Sequence, residues 1–275
     1  LEKGHIDYIC REAINKYGVD PIIAVKAAGH HAARYFLLNN RGAIAPGYLA
    51  DFAVIDNFKD FNVEMVFKKG VLYWNNGELR DFEAPKIEEY LDKRAHDTFH
   101  LPVLSPADFA NTRLRGVIGM VPGQIITEDA GYAAGVDVSK DILKMAVVER
   151  HKNTRHIGIG YLKGYGLKSG AVATSVAHDS HNIICVGTND EDMAFAVNRI
   201  ARNRGGIVVV ENGQVLAELP LEIAGIISGK PLREVNTLLE DAKKAAHALG
   251  VGTDIDPFMT LSFMSLPVIP TLRLT

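Results

Sequence analysis

Cysteine is scarce in this sequence: Cys10 and Cys185 are the two among 275 residues. Both sit among apolar neighbours and read as small buried thiols. Two distant cysteines make no disulfide framework, and a reducing, cytoplasmic compartment is the expectation. Positive charge is not in excess either. The 30 Lys and Arg against 33 Asp and Glu leave a net charge of −3, so there is no electrostatic case for nucleic acid or an anionic membrane. No apolar run approaches the ~20 residues of a membrane span, and no signal peptide is visible. Also absent are a Cys-x-x-Cys pair, a Gly-x-Ser-x-Gly elbow, internal repeats and low-complexity tracts.

What is present is an ordinary globular balance, 47% hydrophobic and 23% charged, enough for a core of normal size in one large domain or two modest ones. The chain opens at Leu1 without a methionine, on the approach to a helix, and closes on VIPTLRLT. The expectation is a piece of a longer polypeptide. In IDYICREAINKY the apolar residues Ile6, Ile9, Cys10, Ala13, Ile14 and Tyr17 recur at helical spacing, and Gly18 stops the pattern. Asp20 and Pro21 suit the cap and first position of a second helix running to about Leu38, with Ile23, Ala27, Ala28 and His31 on its inner side.

Over residues 41–79 the period becomes strand-like. Pro46-Gly47 suits a type II turn between two short strands, the second through Phe52, Val54 and Ile55. Lys68-Lys69-Gly70 and Asn76-Gly77 suit hairpin turns. Residues 80–110 are charged and punctuated by proline, which predicts a helix and linker at a domain boundary. Beyond Arg113 the segments GVIGMVPGQIIT, ILKMAVVER, HIGIGYL, AVATSVA and NIICVG read as strands. Thr188-Asn189-Asp190 caps a helix over about 191–203 with Met193, Ala196, Val197 and Ile200 facing inward. Asn212-Gly213 turns a hairpin, Pro220 is expected to open a short helix, and a long amphipathic helix follows, closed by Gly250. This part is predicted to be α+β, a mixed sheet with helices on one face.

Polar side chains concentrate in SVAHDSHNIICVG, residues 175–187. In an extended chain His178, Ser180 and Asn182 would point one way, and Asp179 and His181 the other. The two histidines then share a metal only if the chain turns between them. A structural metal site wants about four ligands and a catalytic one three plus water, and Cys185, inside an apolar strand, is the one soft ligand nearby. A substrate-facing loop is better supported, because imidazole, hydroxyl, carboxylate and amide groups together can hydrogen-bond a polar heterocycle. Capping of strand ends by Asp, Ser and Asn is the plain alternative. Other candidates fail on spacing. GIGYLKGYGLKSG lacks the ending of a phosphate loop, GVGTDIDPF lacks the ligand spacing of a Ca²⁺ loop, and His96 and His100 have no third ligand near them.

RGAIAPGYLADFAVID, residues 41–56, resembles the segment by which amidohydrolase-superfamily enzymes leave their (β/α)8 barrel and re-enter a small β-sandwich. LKSGAVATSVAHDSHNIICVGTNDEDM, residues 167–193, with GHIDYICREAI near the start and LPVIPTLRLT at the end, resembles the bacterial adenine deaminases, of which it would cover the C-terminal half. The implied fold class is α/β and α+β. Residues 1–40 would be the last helices of the barrel, 41–84 the C-terminal part of the small β-sandwich, 85–112 a helix and linker, and 113–275 an α+β C-terminal domain with a mixed sheet.

The resemblance implies hydrolysis of adenine to hypoxanthine and ammonia, in purine salvage, by water activated at a binuclear Mn²⁺ or Fe²⁺ centre. No His-x-His pair occurs in these residues. The family's metal ligands are therefore expected upstream of Leu1, in an N-terminal barrel portion of the same polypeptide, and this segment alone is expected to be inactive. His178, Asp179, Ser180, His181 and Asn182 stand where the family has the same string, which implies that the loop shapes the adenine pocket. His5, soon after the expected place of the metal-binding aspartate, is a second pocket candidate, with an ordinary polar residue near a helix start as the equal alternative. A non-catalytic lid or assembly module over 113–275 and another cyclic-amide amidohydrolase are the rival readings. The amphipathic helix after residue 231 and the hairpin at Asn212 leave room for a homodimer.

Overall fold

The computed structural model of the chain describes residues 4–83 and 85–275. The first three residues of the predicted barrel segment, and residue 84 at the end of the predicted sandwich segment, lie outside the described residues. The chain divides into two compact units, Leu1–Lys86 and Ile87–Thr275.

In the first unit α1 (Ile6–Tyr17) follows its apolar spacing and ends on Gly18, whose left-handed backbone closes the last turn onto Ala13 and Ile14 carbonyls. Asp20 caps α2 (Pro21–Lys26), its carboxylate accepting from the N–H groups of Ile22 at 2.9 Å and Ile23 at 3.1 Å. A π-helical turn over Ala27–His31 leads into α3 (Ala32–Tyr35). That wider turn changes the helical phase. Ala24 and Ala33 are buried, whereas Ile23, Ala27, Ala28 and His31, expected inside, are exposed. β1 (Phe52–Ile55), β2 (Val63–Lys68), β3 (Val71–Asn75) and β4 (Glu78–Leu79) form an antiparallel sheet in chain order. Lys69-Gly70 and Asn76-Gly77 both have positive φ at their two positions, the type I′ geometry that matches strand twist. Pro46-Gly47 does make a turn, closed by Tyr48 N–H donating to Ala45 O at 3.1 Å, but no strand precedes it among the described residues.

The second unit opens with α4 (Glu89–His96) and is built on eight strands: β5 (Arg115–Met120), β6 (Thr127–Ala133), β7 (Ile142–Val148), β8 (Ile157–Lys163), β9 (Ala171–Thr174), β10 (Ile183–Gly187), β11 (Gly206–Glu211) and β12 (Gln214–Pro220). They lie in the order β12-β11-β9-β10-β7-β8-β5-β6. Neighbours run antiparallel except β5 and β8, so the sheet is mixed. The helices are α5 (Asp190–Arg202), α6 (Leu232–Ala248) and α7 (Pro257–Met264).

Strand alternation divides this sheet into two buried faces. Ile184 and Val186 join a core with α6 and α7, through Ala242, Ala246, Phe258 and Leu261. Ile183 and Cys185 join the opposite core with Met193, Ala196, Val197 and Ile200 of α5. The expectation of helices on one face is therefore corrected: β10 is apolar at every position because both of its faces are covered. Each fully buried Val, Leu or Ile contributes roughly 1.5–3 kcal/mol, so a central strand of this kind anchors whatever loop leads into it. The expected helix at Pro220 is likewise replaced. Pro220 ends β12, an edge strand where a missing N–H is tolerated. None of the described helices is long and apolar enough to cross a membrane.

Candidate functional site

Between Thr174, the end of β9, and Ile183, the start of β10, the chain must reverse direction over residues that the sequence made polar. Ser175 begins the departure. Its buried hydroxyl donates to Gly225 O at 2.6 Å and accepts from Gly206 N–H at 2.7 Å. Residues 178–180 form the turn, and His181 N–H donates back to Ala177 O at 2.6 Å. His181 itself has φ +50°, a left-handed conformation that histidine adopts more readily than branched residues do. The extended alternation expected for this stretch is thus replaced by a turn. It brings the His178 and His181 rings to 5.7 Å, edge to face.

Two residues just past β7 hold that turn from below. Arg150 is 2% exposed. Its Nε donates to His181 O at 2.6 Å, Nη1 to Thr98 O at 2.7 Å, and Nη2 to Ala224 O at 3.0 Å. The guanidinium lies 4.2 Å from the centre of the Phe99 ring. Burial draws its pKa down to about 10, against the opposing charge of Glu149. His151 Nε2 donates to Ser180 O at 2.7 Å.

Within the loop, Asp179 and Ser180 are exposed, and His178, His181 and Asn182 are half-buried. His178 N–H donates to Ser262 O at 3.2 Å, and its ring rests 5.5 Å from that of Phe263 on α7. Phe263 also lines a cavity of about 300 Å³ with Met120, Ile125, Asp256 and Met259. His181 Nδ1 and Asn182 Oδ1 are shielded from solvent and have no hydrogen-bond partner among the described residues. Burial, and then the neighbouring His178 and Arg150, pushes the His181 pKa below the ordinary imidazole value, against the pull of Asp179. At neutral pH the ring is therefore uncharged and can donate from one nitrogen while accepting at the other. The turn does bring the two histidines together, yet no group of three or more His, Cys, Asp or Glu among the described residues could hold a metal ion.

His5 belongs to the first unit. It stands exposed at the N-cap of α1 without a side-chain cap bond, while its N–H donates to the Asp7 carboxylate at 2.7 Å. His100, once paired in spacing with His96, lies beyond the end of α4 and bonds Asp97 and the carbonyl of His151. Sequence reasoning missed Arg150, His151 and Phe263. The one signal available was the pair of charges that ends the apolar run of β7 in AVVER.

The model of the adenine deaminase C-terminal domain matches residues 124–275, which include the whole of this loop. The chain belongs to that family. Residues 4–73 match the amidohydrolase family. Similar curated proteins are an adenine deaminase of Dehalococcoides mccartyi, 43% identical over 99% of this chain and 48% of the relative. One of Nitratidesulfovibrio vulgaris is 43% identical over 100% and 49%, and the adenine deaminase 2 of Carboxydothermus hydrogenoformans is 41% identical over 100% and 49%. The chain spans about half the length of the curated relatives it matches.

Proposed function

We propose that this chain is the C-terminal half of a metal-dependent adenine deaminase that hydrolyses adenine to hypoxanthine and ammonia in a cytoplasmic purine salvage route. Its relatives carry that name over the length of this chain. Residues 1–40 would complete the (β/α)8 barrel, 41–84 would belong to the small β-sandwich, 85–112 would link, and 113–275 would form the deaminase-specific domain. The described residues do not fit the binuclear Mn²⁺ or Fe²⁺ centre, since they assemble no ligand set. The metal belongs to the N-terminal barrel portion of the same polypeptide.

The observation that carries the loop's role is the turn that gathers half-buried His178, His181 and Asn182 beside exposed Asp179 and Ser180, with His181 Nδ1 and Asn182 Oδ1 unpartnered among the described residues. Polar atoms withdrawn from water cost stability unless something satisfies them. A purine offers ring nitrogens that accept and N–H groups that donate, which matches a neutral imidazole and an amide oxygen. His178, Asp179 and Ser180 complete that wall; His5, in the first unit, is proposed separately, as a polar group near the barrel's last strand.

The test uses the full-length protein loaded with Mn²⁺ or Fe²⁺, with adenine conversion to hypoxanthine followed by ultraviolet absorbance. His181→Ala is expected to lower kcat/KM by about tenfold or more, the scale of a misplaced substrate contact, with unchanged melting. Deamination of a different ring, with adenine left untouched, would retire the substrate assignment. Wild-type kinetics in His181→Ala would retire the role of the loop.

A further inference from the structure

We infer that Arg150 is the positioning residue of the adenine-facing loop, gripping residues 178–182 from beneath so that His181 and Asn182 keep their place in the pocket wall. The inference rests on the reading of that loop as substrate-facing, and extends it to a residue with no access to substrate.

Arg150 is buried and charged, and among the described residues its guanidinium bonds only to neutral oxygens: the carbonyls of Thr98, His181 and Ala224, and Thr98 Oγ1 at 3.2 Å. Withdrawing a cation from water without a carboxylate partner is costly. An interior that needed only filling would hold an apolar residue there. The planar guanidinium answers a different need, because its fixed fork can hold carbonyls from three separate stretches of chain in one geometry. Of those three, the His181 carbonyl sits at the loop's left-handed residue, next to the side chain whose Nδ1 lacks a partner. The surroundings are shaped to the fork. Phe99 stacks on one side, and Gly225, at φ +76°, leaves the space that a Cβ would take, 2.7 Å from Phe99 and 2.9 Å from Arg150 Nη2. Arg150 also faces His181 as a charge, together with His178, His151 and the opposing Asp179. It therefore helps keep that imidazole neutral.

The experiment compares wild type, Arg150→Lys, Arg150→Met, Gly225→Ala and His181→Ala in the full-length metal-loaded protein. Hydrogen exchange of the 177–182 peptide, melting temperature, and KM and kcat for adenine against pH are measured. Arg150→Met is expected to speed exchange in 177–182 while β7 and β10 stay protected, to raise KM by about tenfold or more with a smaller change in kcat, and to move the acidic limb of kcat/KM to higher pH. Arg150→Lys keeps the charge, so the limb stays in place while KM rises. Gly225→Ala displaces the fork without removing it and gives the same loop-confined exchange. If Arg150→Met does not fold, the other two variants carry these readouts.

Uniformly faster exchange with unchanged KM and pH profile would make Arg150 a general stabiliser and overturn the inference. So would wild-type kinetics in the Arg150 variants while His181→Ala is impaired, an outcome that leaves the proposed function standing. If wild type leaves adenine untouched, the deaminase reading fails by itself. Exchange confined to 177–182 then still supports Arg150 as the loop's anchor, and unchanged exchange refutes it.

Discussion

The amide oxygen of Asn182 is withdrawn from solvent and accepts no hydrogen bond from the described residues. A ligand or a water molecule that supplies the donor removes this deficit, and so does deleting the oxygen. Asn182→Leu is therefore expected to melt at or above the wild-type temperature in scanning fluorimetry and, on the proposed deaminase reading, to turn adenine over more slowly. A marked loss of stability would reveal a structural donor instead. His181 has a consequence of the opposite kind. Its pKa is lower in the folded chain than in the unfolded one, so the native state binds that proton less well. The contribution is fully present above about pH 6.5 and is lost as pH falls through the lower folded value. His181→Phe is expected to flatten this part of the stability curve, as read by urea titrations across about pH 7 to 5.

The turn that follows β7 is organised by Glu149. Burial works against its charge, but hydrogen bonds from Thr154 Oγ1 (2.8 Å), Thr154 N (3.2 Å), His151 N (2.5 Å) and Lys152 N (2.8 Å) outweigh it and lower the pKa from 4.5 to about 2. The stabilisation is present above pH 4.5 and disappears as pH falls toward about 2. Glu149→Gln should therefore melt below wild type at pH 7, with the gap closing in acid; a gap that persists at about pH 2 would exclude this cause. For α5, Asn189→Ala removes the side-chain acceptor for Asp192 N–H at 2.7 Å and should cost about 1 kcal/mol in chemical denaturation. That cap was legible in the sequence, as were α1, α6 and the Asn212-Gly213 turn, because each depends on residues close along the chain. Other elements were not legible. In α7, PFMTLSFM is apolar nearly all round and leaves no stripe to detect. In β6, TEDAGYA is a polar edge strand, with little of the alternation that marks a half-buried one.

At the scale of the molecule, the two units differ in how completely they cover their apolar residues. Residues 87–275 contain both sheet cores, whereas Tyr35, Phe36, Leu37 and Ile44 of the first unit are 69–89% exposed. Exposed apolar patches of this kind bind other surfaces or aggregate. Residues 87–275 alone are expected to unfold in one cooperative transition, and residues 1–86 alone to bind a hydrophobic dye. On the proposed deaminase reading, chelation should abolish deamination by the full-length protein yet leave the melting of 87–275 unchanged; a shift would locate a metal site in this unit. The amino-acid order by itself determined the capped helices, the tight turns and the presence of a polar stretch at 178–182, since spacing and turn chemistry act over a few residues. Only the tertiary structure decided that the stretch turns back on itself, that β10 is covered on both faces, and that Arg150 grips the loop. Those outcomes depend on carbonyls at residues 98, 181 and 224 meeting one guanidinium, and no local pattern records which buried oxygens a distant donor will find.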